Sequence, residues 1–224
     1  MRRALVVRGG WEGHQPAEAT EMFVPFLRED GFAVRVEEST EVYADTAVMA
    51  DADLIVQCVT MSSITREQVA GLRTAVASGT GFTGWHGGIA DSFRESADYL
   101  QLVGGQFAAH PGLDGEYAVS HEIAFTELGR RHPITGGLAD FTLRTEQYWV
   151  LTDDLNDVLA TTTHPARAGE PWQRAVTVPA IWTREWGAGR IVVCTPGHDL
   201  DVLAHPTVRT VIERGILWAA RPAR

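Results

Sequence analysis

The chain has 224 residues, of which 45% are hydrophobic and 21% charged, a composition typical of a single globular domain spanning residues 1–224. Its formal net charge of −10 argues against a nucleic-acid partner, because nucleic-acid binding relies on clustered Lys and Arg residues. The apolar run near residue 1 is cut short at Arg8, which is not typical of a secretory leader, and no apolar stretch reaches membrane-spanning length, so we expect a cytoplasmic protein with no membrane partner.

The first half of the chain alternates strand and helix patterns. Four apolar or alternating runs predict strands, at residues 3–10, 32–39, 52–59 and 80–85. Two amphipathic segments predict helices, at residues 16–31 and 65–79, and Pro25 is expected to bend or shorten the first of them. This order predicts a parallel sheet with right-handed crossovers.

The second half is less regular, and most of its patterns are strands. Predicted strands cover residues 115–127, 141–151, 157–164, 175–187 and 189–198, and an amphipathic helix over 206–220 closes the chain. The whole pattern predicts an α/β fold, with a mostly parallel sheet flanked by helices and added antiparallel strands in the second half. Exposed edges of those strands would suit a homodimer.

Several histidines follow predicted strands, where open α/β sheets bind their ligands. His86, in GFTGWHGG, ends a strand between glycines, a pattern typical of the sharp strand-to-helix turn that presents a nucleophile. We therefore predict that His86 is functional; the alternative is a glycine-rich turn in which it only bonds the backbone. His14 follows the first strand and is either a site residue or a cap of the next helix.

Three further residues complete the predicted catalytic set. His198 follows a strand and a Pro-Gly pair, and His110 is in a loop after a predicted helix. Glu146 has aromatic neighbours, and a carboxylate that faces a pocket there would have a perturbed pKa. A capping turn histidine is the alternative for His198, and an exposed strand-edge carboxylate is the alternative for Glu146.

Aromatic residues fall beside several of these positions. Trp11, Trp85 and Trp149 are close in sequence to proposed site residues, and Asp199 follows a site histidine directly. Indole faces suit the apolar faces of sugar rings. We predict that the three tryptophans, His14 and Asp199 bind substrate, although core packing explains any one tryptophan equally well.

The remaining histidines and the two cysteines lack such contexts. His132 precedes a proline and is expected to fix a turn. The others are expected to be surface or strand residues: His121, His164 and His205. Cys58 and Cys194 each lie in an apolar run and are expected to be small buried hydrophobic residues in a reducing compartment.

A set of segments carries a family resemblance: GFTGWHGG, LVGGQFAAHPG, HPITGGL, TEQYW, PAIWTREWGAGRIVVCTPGHD and GILWAA. Together they resemble the ThuA-like family, named for trehalose utilisation, over nearly the whole chain. The resemblance implies a flavodoxin-like fold related to the class I glutamine amidotransferases. His86 stands where those amidotransferases have their nucleophilic Cys, so the resemblance implies that glutaminase activity, which needs a thiolate, is absent.

The resemblance also implies roles for other residues. His198 corresponds to the family's Gly-His after the late strand, His110 to its His-Pro loop and Glu146 to its acidic segment. The chain departs from the family near its start, where residues 11–14 are WEGH and the family often has His-Asp-His. If that motif holds substrate or metal in relatives, Glu12 is the expected substitute for its aspartate.

The family's link to trehalose catabolism implies sugars oxidised to a ketone at ring carbon 3, whose neighbouring C–H is acidic. His86, His110 and His198 with Glu146 then form an acid–base set for isomerisation, elimination or hydrolysis, or hold a divalent metal such as Zn²⁺ or Mn²⁺. The sequence does not choose between these, because the residues are far apart in the chain. We predict a sugar-catabolic isomerase, lyase or hydrolase for a 3-keto-glycoside, with a small-molecule sugar as partner and no other cofactor.

Two other classes of function stay open. One is a non-catalytic sugar- or metabolite-binding protein that keeps the pocket, which ligand binding without turnover would reveal. The other is an unrelated hydrolase or acyl-transfer enzyme, for which Ser92 and Thr60 are the candidate nucleophiles.

Overall fold

A mixed β-sheet with helices packed on both faces forms the centre of the molecule. The computed structural model describes residues 1–110 and 117–222; residues 111–116, which include the Pro-Gly after His110 and the start of the predicted strand over 115–127, lie outside it. The strands, in chain order, are β1 Arg2–Gly10, β2 Phe32–Glu37, β3 Leu54–Thr60, β4 Gly81–Trp85, β5 Gly105–Ala109, β6 Ala118–Phe125, β7 Phe141–Glu146, β8 Trp149–Thr152, β9 Asp157–His164, β10 Val176–Trp186 and β11 Gly189–Cys194.

The main sheet joins a parallel half to an antiparallel half. Its strand order is β2-β1-β3-β4-β11-β10-β9-β6-β7, and the neighbours from β2 to β11 are parallel. Strands β10, β9, β6 and β7 continue the sheet in antiparallel pairs. The predicted α/β sheet with added antiparallel strands is therefore confirmed. The last strand, β11, is central and connects the two halves.

Helices fill the crossovers of the parallel half and close the chain. They are α1 Pro16–Glu21, α2 Val24–Glu29, α3 Thr46–Asp51, α4 Arg66–Ala77, α5 Gly87–Ala90, α6 Ala97–Val103, α7 Glu127–Arg131, α8 Leu200–Ala204 and α9 Pro206–Ala219. The predicted helix over 16–31 is divided into α1 and α2, because Pro25 has no N–H to donate to the carbonyl four residues earlier. Across the described ranges, no helix is both long and apolar enough to cross a membrane.

Two apolar clusters fill the space on the opposite faces of the sheet. Strand β1 shows the alternation: Ala4 and Val6 face the cluster under α1, α2 and α9, and Leu5 and Val7 face the cluster under α4 and α6. Cys58 is buried in the first cluster, and Cys194 is buried there as well. Because both faces of the parallel half are covered, polar groups that reach a substrate must lie at the strand ends.

Two strands differ from the pattern expected from the sequence. The predicted strand over 141–151 is interrupted at Gln147, whose side-chain amide donates to Thr162 Oγ1 and to Thr163 O. The result is β7 and a separate β8, which pairs with β5 in a small two-stranded sheet. The helix expected before His110 is present as α6, but β5, which the sequence did not predict, lies between them.

Two buried histidines in the antiparallel half predict acid sensitivity. His121 Nδ1 donates to Val119 O and His164 Nε2 donates to Tyr148 O, and burial lowers the pKa of both from the ordinary value of 6.5. The unfolded chain therefore binds protons below pH 6.5 that the native protein does not. Each histidine contributes stability that is present above pH 6.5 and is lost as the pH falls.

We expect the free energy of unfolding to decrease between pH 7.5 and pH 5.5, with a contribution from each of the two histidines. Urea unfolding measures it. His164→Gln keeps an N–H donor near the Nε2 position but does not titrate, so its decrease should be smaller than that of the wild type. The comparison cancels the contributions of the other histidines, including His14 and His86, whose pKa values are lowered, and His198, whose pKa is raised. Equal decreases in both proteins would contradict the prediction.

Candidate active site

His86 is at the apex of a sharp turn between β4 and α5. Its φ of 49° and ψ of −139° lie in a region that residues with side chains rarely adopt. A hydrogen bond of 2.7 Å from His86 N–H to Cys194 O ties the turn to β11. A Cβ on Gly88 would lie 2.8 Å from Cα of Cys58, so the following helix needs glycine to approach β3. The structure thus contains the turn that the sequence GWHGG indicates.

Side chains from four distant segments meet beyond the ends of β4 and β11. His86 Nε2 is 3.1 Å from Glu146 Oε2 and 3.4 Å from His198 Nδ1, and His198 Nδ1 is 3.4 Å from Glu146 Oε2. His14 completes the group, since one ligand atom from each of the four residues lies within 4.8 Å of the others. These residues, His14, His86, Glu146 and His198, are termed the histidine–glutamate cluster.

Hydrogen bonds on the outer side of two rings fix their orientation. His86 Nδ1 is 2.8 Å from Thr195 O, a carbonyl that can only accept, so the neutral ring carries its proton on Nδ1. His14 Nδ1 is 2.9 Å from Oγ1 of Thr60. Each ring therefore keeps Nε2 for the cluster, and in His86 that atom presents a lone pair to Glu146.

Burial and mutual contacts set the charges in the cluster. Burial, with a smaller effect of the neighbouring histidines, lowers the pKa of His14 to about 3. Burial also lowers the pKa of His86, against the attraction of Glu146. Burial raises the pKa of Glu146, but the hydrogen bond from His198 and the close approach of His86 outweigh it and hold that pKa well below its usual range. The hydrogen bond to Glu146 raises the pKa of His198. At neutral pH the cluster thus contains a carboxylate, two neutral imidazoles and one imidazole that favours a proton.

His110 borders the cluster. Its Nε2 is 3.9 Å from Glu146 Oε1, and 28% of its side chain is exposed. The ring packs against Phe107 and Tyr117, with centroid distances of 5.2 Å and 4.2 Å. The sequence predicted His110 as a candidate ligand and His14 as a substrate-binding residue, whereas the structure buries His14 inside the cluster and leaves His110 at its open edge.

Tyr148 is a residue of this site that sequence reasoning missed. Its ring lies on that of His86, with centroids 4.1 Å apart and planes inclined by 31°. Burial raises the pKa of the phenol well above 10, and Glu146 and Asp91 raise it further. Tyr148 therefore keeps its proton. The signal was in TEQYW, because Glu146 and Tyr148 are two residues apart and share one side of an extended chain.

The structure corrects the predictions for two of the tryptophans. Trp85 is the last residue of β4 and points into the core, where its ring lies 4.9 Å from that of Phe23. Trp149 packs against His164 and Trp172, with centroid distances of 5.0 Å and 5.2 Å. Neither indole faces the cluster, because successive residues of a strand point to opposite sides.

The other predicted substrate-binding residues, Trp11, Glu12 and Asp199, differ in how they relate to the cluster. Trp11 is 46% exposed, and its ring lies 4.7 Å from that of His14. Glu12 is exposed and is not among the grouped ligand residues, so it does not replace an aspartate there. Asp199 accepts a hydrogen bond from Val202 N–H and caps α8, and its charge also raises the pKa of His198.

The two candidate hydroxyl nucleophiles have structural partners. Ser92 Oγ is buried, donates to Gly88 O and accepts from Gln57 Nε2. Thr60 is also buried and bonds to the ring of His14. Neither hydroxyl is exposed for attack on a substrate, so the geometry gives no support to an acyl-transfer enzyme.

The cluster fits the donor set of a divalent metal. Tetrahedral Zn²⁺ with bonds of about 2.0–2.1 Å places its ligand atoms about 3.3 Å apart, close to the separations of 3.1, 3.4 and 3.4 Å among His86, His198 and Glu146. His86 Nε2, His198 Nδ1 and Glu146 Oε2 converge there, and they offer more lone pairs than there are protons to share between them. A cation stabilises such an arrangement. The outer hydrogen bonds of His14 and His86 are of the kind that orient metal-ligating imidazoles.

Comparison with known proteins relates this arrangement to a family. The sequence model described as "ThuA: Trehalose utilisation" matches residues 3–219. A ThuA-like protein of Bacteroides uniformis has a similar structure, with a TM-score of 0.75 at 17% identity, over 97% of this chain and 91% of that one. A ThuA-like protein of Parabacteroides merdae gives a TM-score of 0.72 at 14% identity, over 100% and 92% of the two chains.

A third solved structure extends the comparison. A cytoplasmic protein of Salmonella typhimurium LT2 gives a TM-score of 0.63 at 14% identity and covers 98% of this chain and 100% of that one. A search among curated proteins gives no match. At these identities the solved structures establish the shared fold.

Proposed function

Because the chain belongs to the trehalose utilisation (ThuA) family, we propose that it is a cytoplasmic enzyme that acts on a sugar oxidised to a ketone at ring carbon 3. The observation that carries this proposal is the convergence of His86, His198 and Glu146 at separations of 3.1 to 3.4 Å. Such a set binds an electron-rich oxygen and moves protons beside it. The substrate is a 3-keto-glycoside.

We propose that a divalent ion, Zn²⁺ or Mn²⁺, binds to the histidine–glutamate cluster. His86, His198 and Glu146 would hold it, and His14 would complete the set from the side of Thr60. When bound, the ion supplies a positive charge that polarises the keto oxygen of the sugar. The lowered pKa values of His14 and His86 support this assignment, because neutral imidazoles are the form that binds metals.

The proposed reaction begins with removal of the C2 proton next to the ketone. His110 is the proposed base, because it borders the cluster and its ring is partly exposed to an arriving sugar. In an elimination, the C2–H electrons form the C1=C2 double bond, the C1–O bond breaks, and the aglycone oxygen takes a proton from the protonated imidazole. Isomerisation and hydrolysis can begin with the same proton abstraction.

Tyr148 supports this chemistry from beside the cluster. Its phenol keeps its proton, because burial and the charge of Glu146 raise its pKa. A neutral phenol next to a carboxylate is a hydrogen-bond donor, and an oxygen that gains negative charge during the reaction accepts such a bond. The ring also covers one face of His86 and excludes water from it.

The test of the metal site is elemental analysis of protein purified without chelator. We expect about one Zn²⁺ or Mn²⁺ per chain, and at least about tenfold weaker binding for Glu146→Gln, which loses a charged ligand. Glu122→Gln makes the same change at an exposed position of β6 and should bind metal as the wild type does. If the purified protein contains no metal and its activity does not change with added ions or chelator, the proposed metal site is wrong. The cluster would then act as an acid–base set without a metal.

The test of the reaction is a screen of 3-keto-glycosides: 3-keto-trehalose, methyl 3-keto-glucoside and 4-nitrophenyl 3-keto-glucoside. We expect release of the aglycone or a shifted carbonyl from at least one of them. Binding of these compounds without any product would contradict catalysis and identify a sugar-binding protein instead.

A further inference from the structure

An exposed indole is fixed beside the histidine–glutamate cluster. Trp11 follows β1 and is 46% exposed, while its ring centroid lies 4.7 Å from that of His14. The ring also crosses the backbone at Gly13, where an added Cβ would lie 2.3 to 2.6 Å from indole carbons. A hydrogen bond of 3.0 Å from Trp11 N–H to Thr60 O holds its backbone to β3. The indole is therefore fixed in place although much of it contacts solvent.

A second exposed apolar side chain stands on the neighbouring strand end. Met61 follows β3 and is 46% exposed. Its φ of 47° is unusual for a residue with a side chain, and a 2.8 Å bond from Met61 N–H to Asp91 O maintains it. Because Gly10 pairs with Thr60 in the sheet, Trp11 and Met61 leave adjacent strands at the same edge. Two exposed apolar residues thus follow adjacent strands at this edge of the sheet, and Thr60, the residue before Met61, bonds to His14 of the cluster.

We propose that Trp11 and Met61 form a subsite for the group attached to the oxidised sugar, and that this group is a ring with an apolar face. The inference rests on the proposed function, in which the keto ring occupies the histidine–glutamate cluster. An aromatic ring and a second pyranose share this apolar face, and an indole stacks on either. The substrate class is accordingly a glycoside with a ring-shaped aglycone, in preference to a free keto sugar or an alkyl glycoside.

The experiment compares the kcat/KM of one enzyme on three compounds: 4-nitrophenyl 3-keto-glucoside, 3-keto-trehalose and methyl 3-keto-glucoside. In the wild type, the two compounds with a ring aglycone should exceed the methyl compound. In Trp11→Ala that ratio should fall about tenfold, since stacking on the indole is lost. If kcat/KM relative to the methyl compound falls only for the nitrophenyl compound, the subsite binds aromatic aglycones. If it falls only for 3-keto-trehalose, the subsite binds sugars.

Two variants control this result. Gly13→Ala keeps the indole but displaces it and should lower the same ratio. Leu155→Ala removes an exposed apolar side chain that is 58% accessible in the loop after β8, and should leave the ratio unchanged. A ratio that is unchanged in both Trp11→Ala and Gly13→Ala would overturn the subsite while leaving the proposed reaction intact.

Calorimetric binding separates the subsite from the reaction. The probes are 4-nitrophenyl glucoside and methyl glucoside, neither of which carries a ketone. We expect the nitrophenyl compound to bind at least about tenfold more tightly to the wild type, and this preference to be lost in Trp11→Ala. If the wild type binds the nitrophenyl compound more tightly but no 3-keto-glycoside is turned over, only the proposed reaction is contradicted. If the wild type binds the two compounds equally, the subsite is contradicted.

Discussion

His86→Ala is expected to lose about a hundredfold or more of the activity on a 3-keto-glycoside while keeping its fold, the scale typical of general acid–base catalysis. Its imidazole is the centre of the cluster, within 3.4 Å of both Glu146 and His198. Removing it takes away one of the two imidazoles that hold the pKa of Glu146 low. Steady-state kinetics, with circular dichroism to verify the fold, measure the effect.

Cys194→Ala is the matched control for His86→Ala. Cys194 accepts the His86 N–H with its backbone carbonyl, and alanine keeps that bond while removing a buried thiol. The variant is expected to lose some packing stability and to retain turnover, as is Cys58→Ala. Full activity in His86→Ala, or loss of activity in the two cysteine variants with the fold intact, would contradict the assignment.

Gly87→Ala is expected to produce a comparable loss of activity without removing any functional group. A Cβ at this position would lie 2.7 Å from Cε1 of His14 and 2.8 Å from Cγ2 of Thr60. The His14 ring must therefore shift away from the cluster. A displacement of about 1 Å in a catalytic group can cost on the order of a hundredfold in rate. The measurements are kcat/KM and the metal content.

A double-mutant cycle shows whether Gly87→Ala acts through the imidazole. In the background of His14→Ala the added methyl group has space where the ring was, so the double variant should be no less active than His14→Ala alone. Independent losses that multiply would mean that Gly87→Ala disturbs the turn at His86 instead. Gly136→Ala, in a surface turn far along the chain, tests the effect of the same substitution elsewhere.

The parallel half could be predicted from the sequence because its signals are local. Strand β3 is buried along its whole length, and this burial requires the continuous apolar run that the sequence shows over 52–59. The division of the helix over 16–31 follows from the missing N–H of Pro25. The turn at His86 follows from its flanking glycines, since larger side chains would collide with β3.

The composition of the site was less accessible, because it depends on which side of a strand each residue faces. Trp85 and His86 are adjacent, yet one packs into the core and the other into the cluster. The spacing of Glu146 and Tyr148 indicates that they share one side of the chain, but nothing local shows that this side, and not that of Trp149, faces the cluster. Which alternate side chains face the site can be assigned only when the pairing of the strand is known.

The exchange of His14 and His110 has a topological cause. His14 reaches the cluster because β1, β3, β4 and β11 are neighbours in that order, which brings the end of β1 close to His86. No pattern in the chain shows that β11 pairs with β4 or that β5 precedes His110. Long-range pairing therefore decides which histidines join the cluster and which one stays at its edge.

The central place of β11 has a consequence for how the protein is made. A ribosome delivers β1 to β4 first, but their sheet continues only through β11, whose Ile191 pairs with Phe82 of β4 and which also pairs with β10. Contacts so distant in sequence slow folding, and here they can form only after β11 has been synthesised. A nascent chain stopped before β11 has neither a joined sheet nor His198. Only chains whose synthesis has passed β11 and His198 can therefore be active.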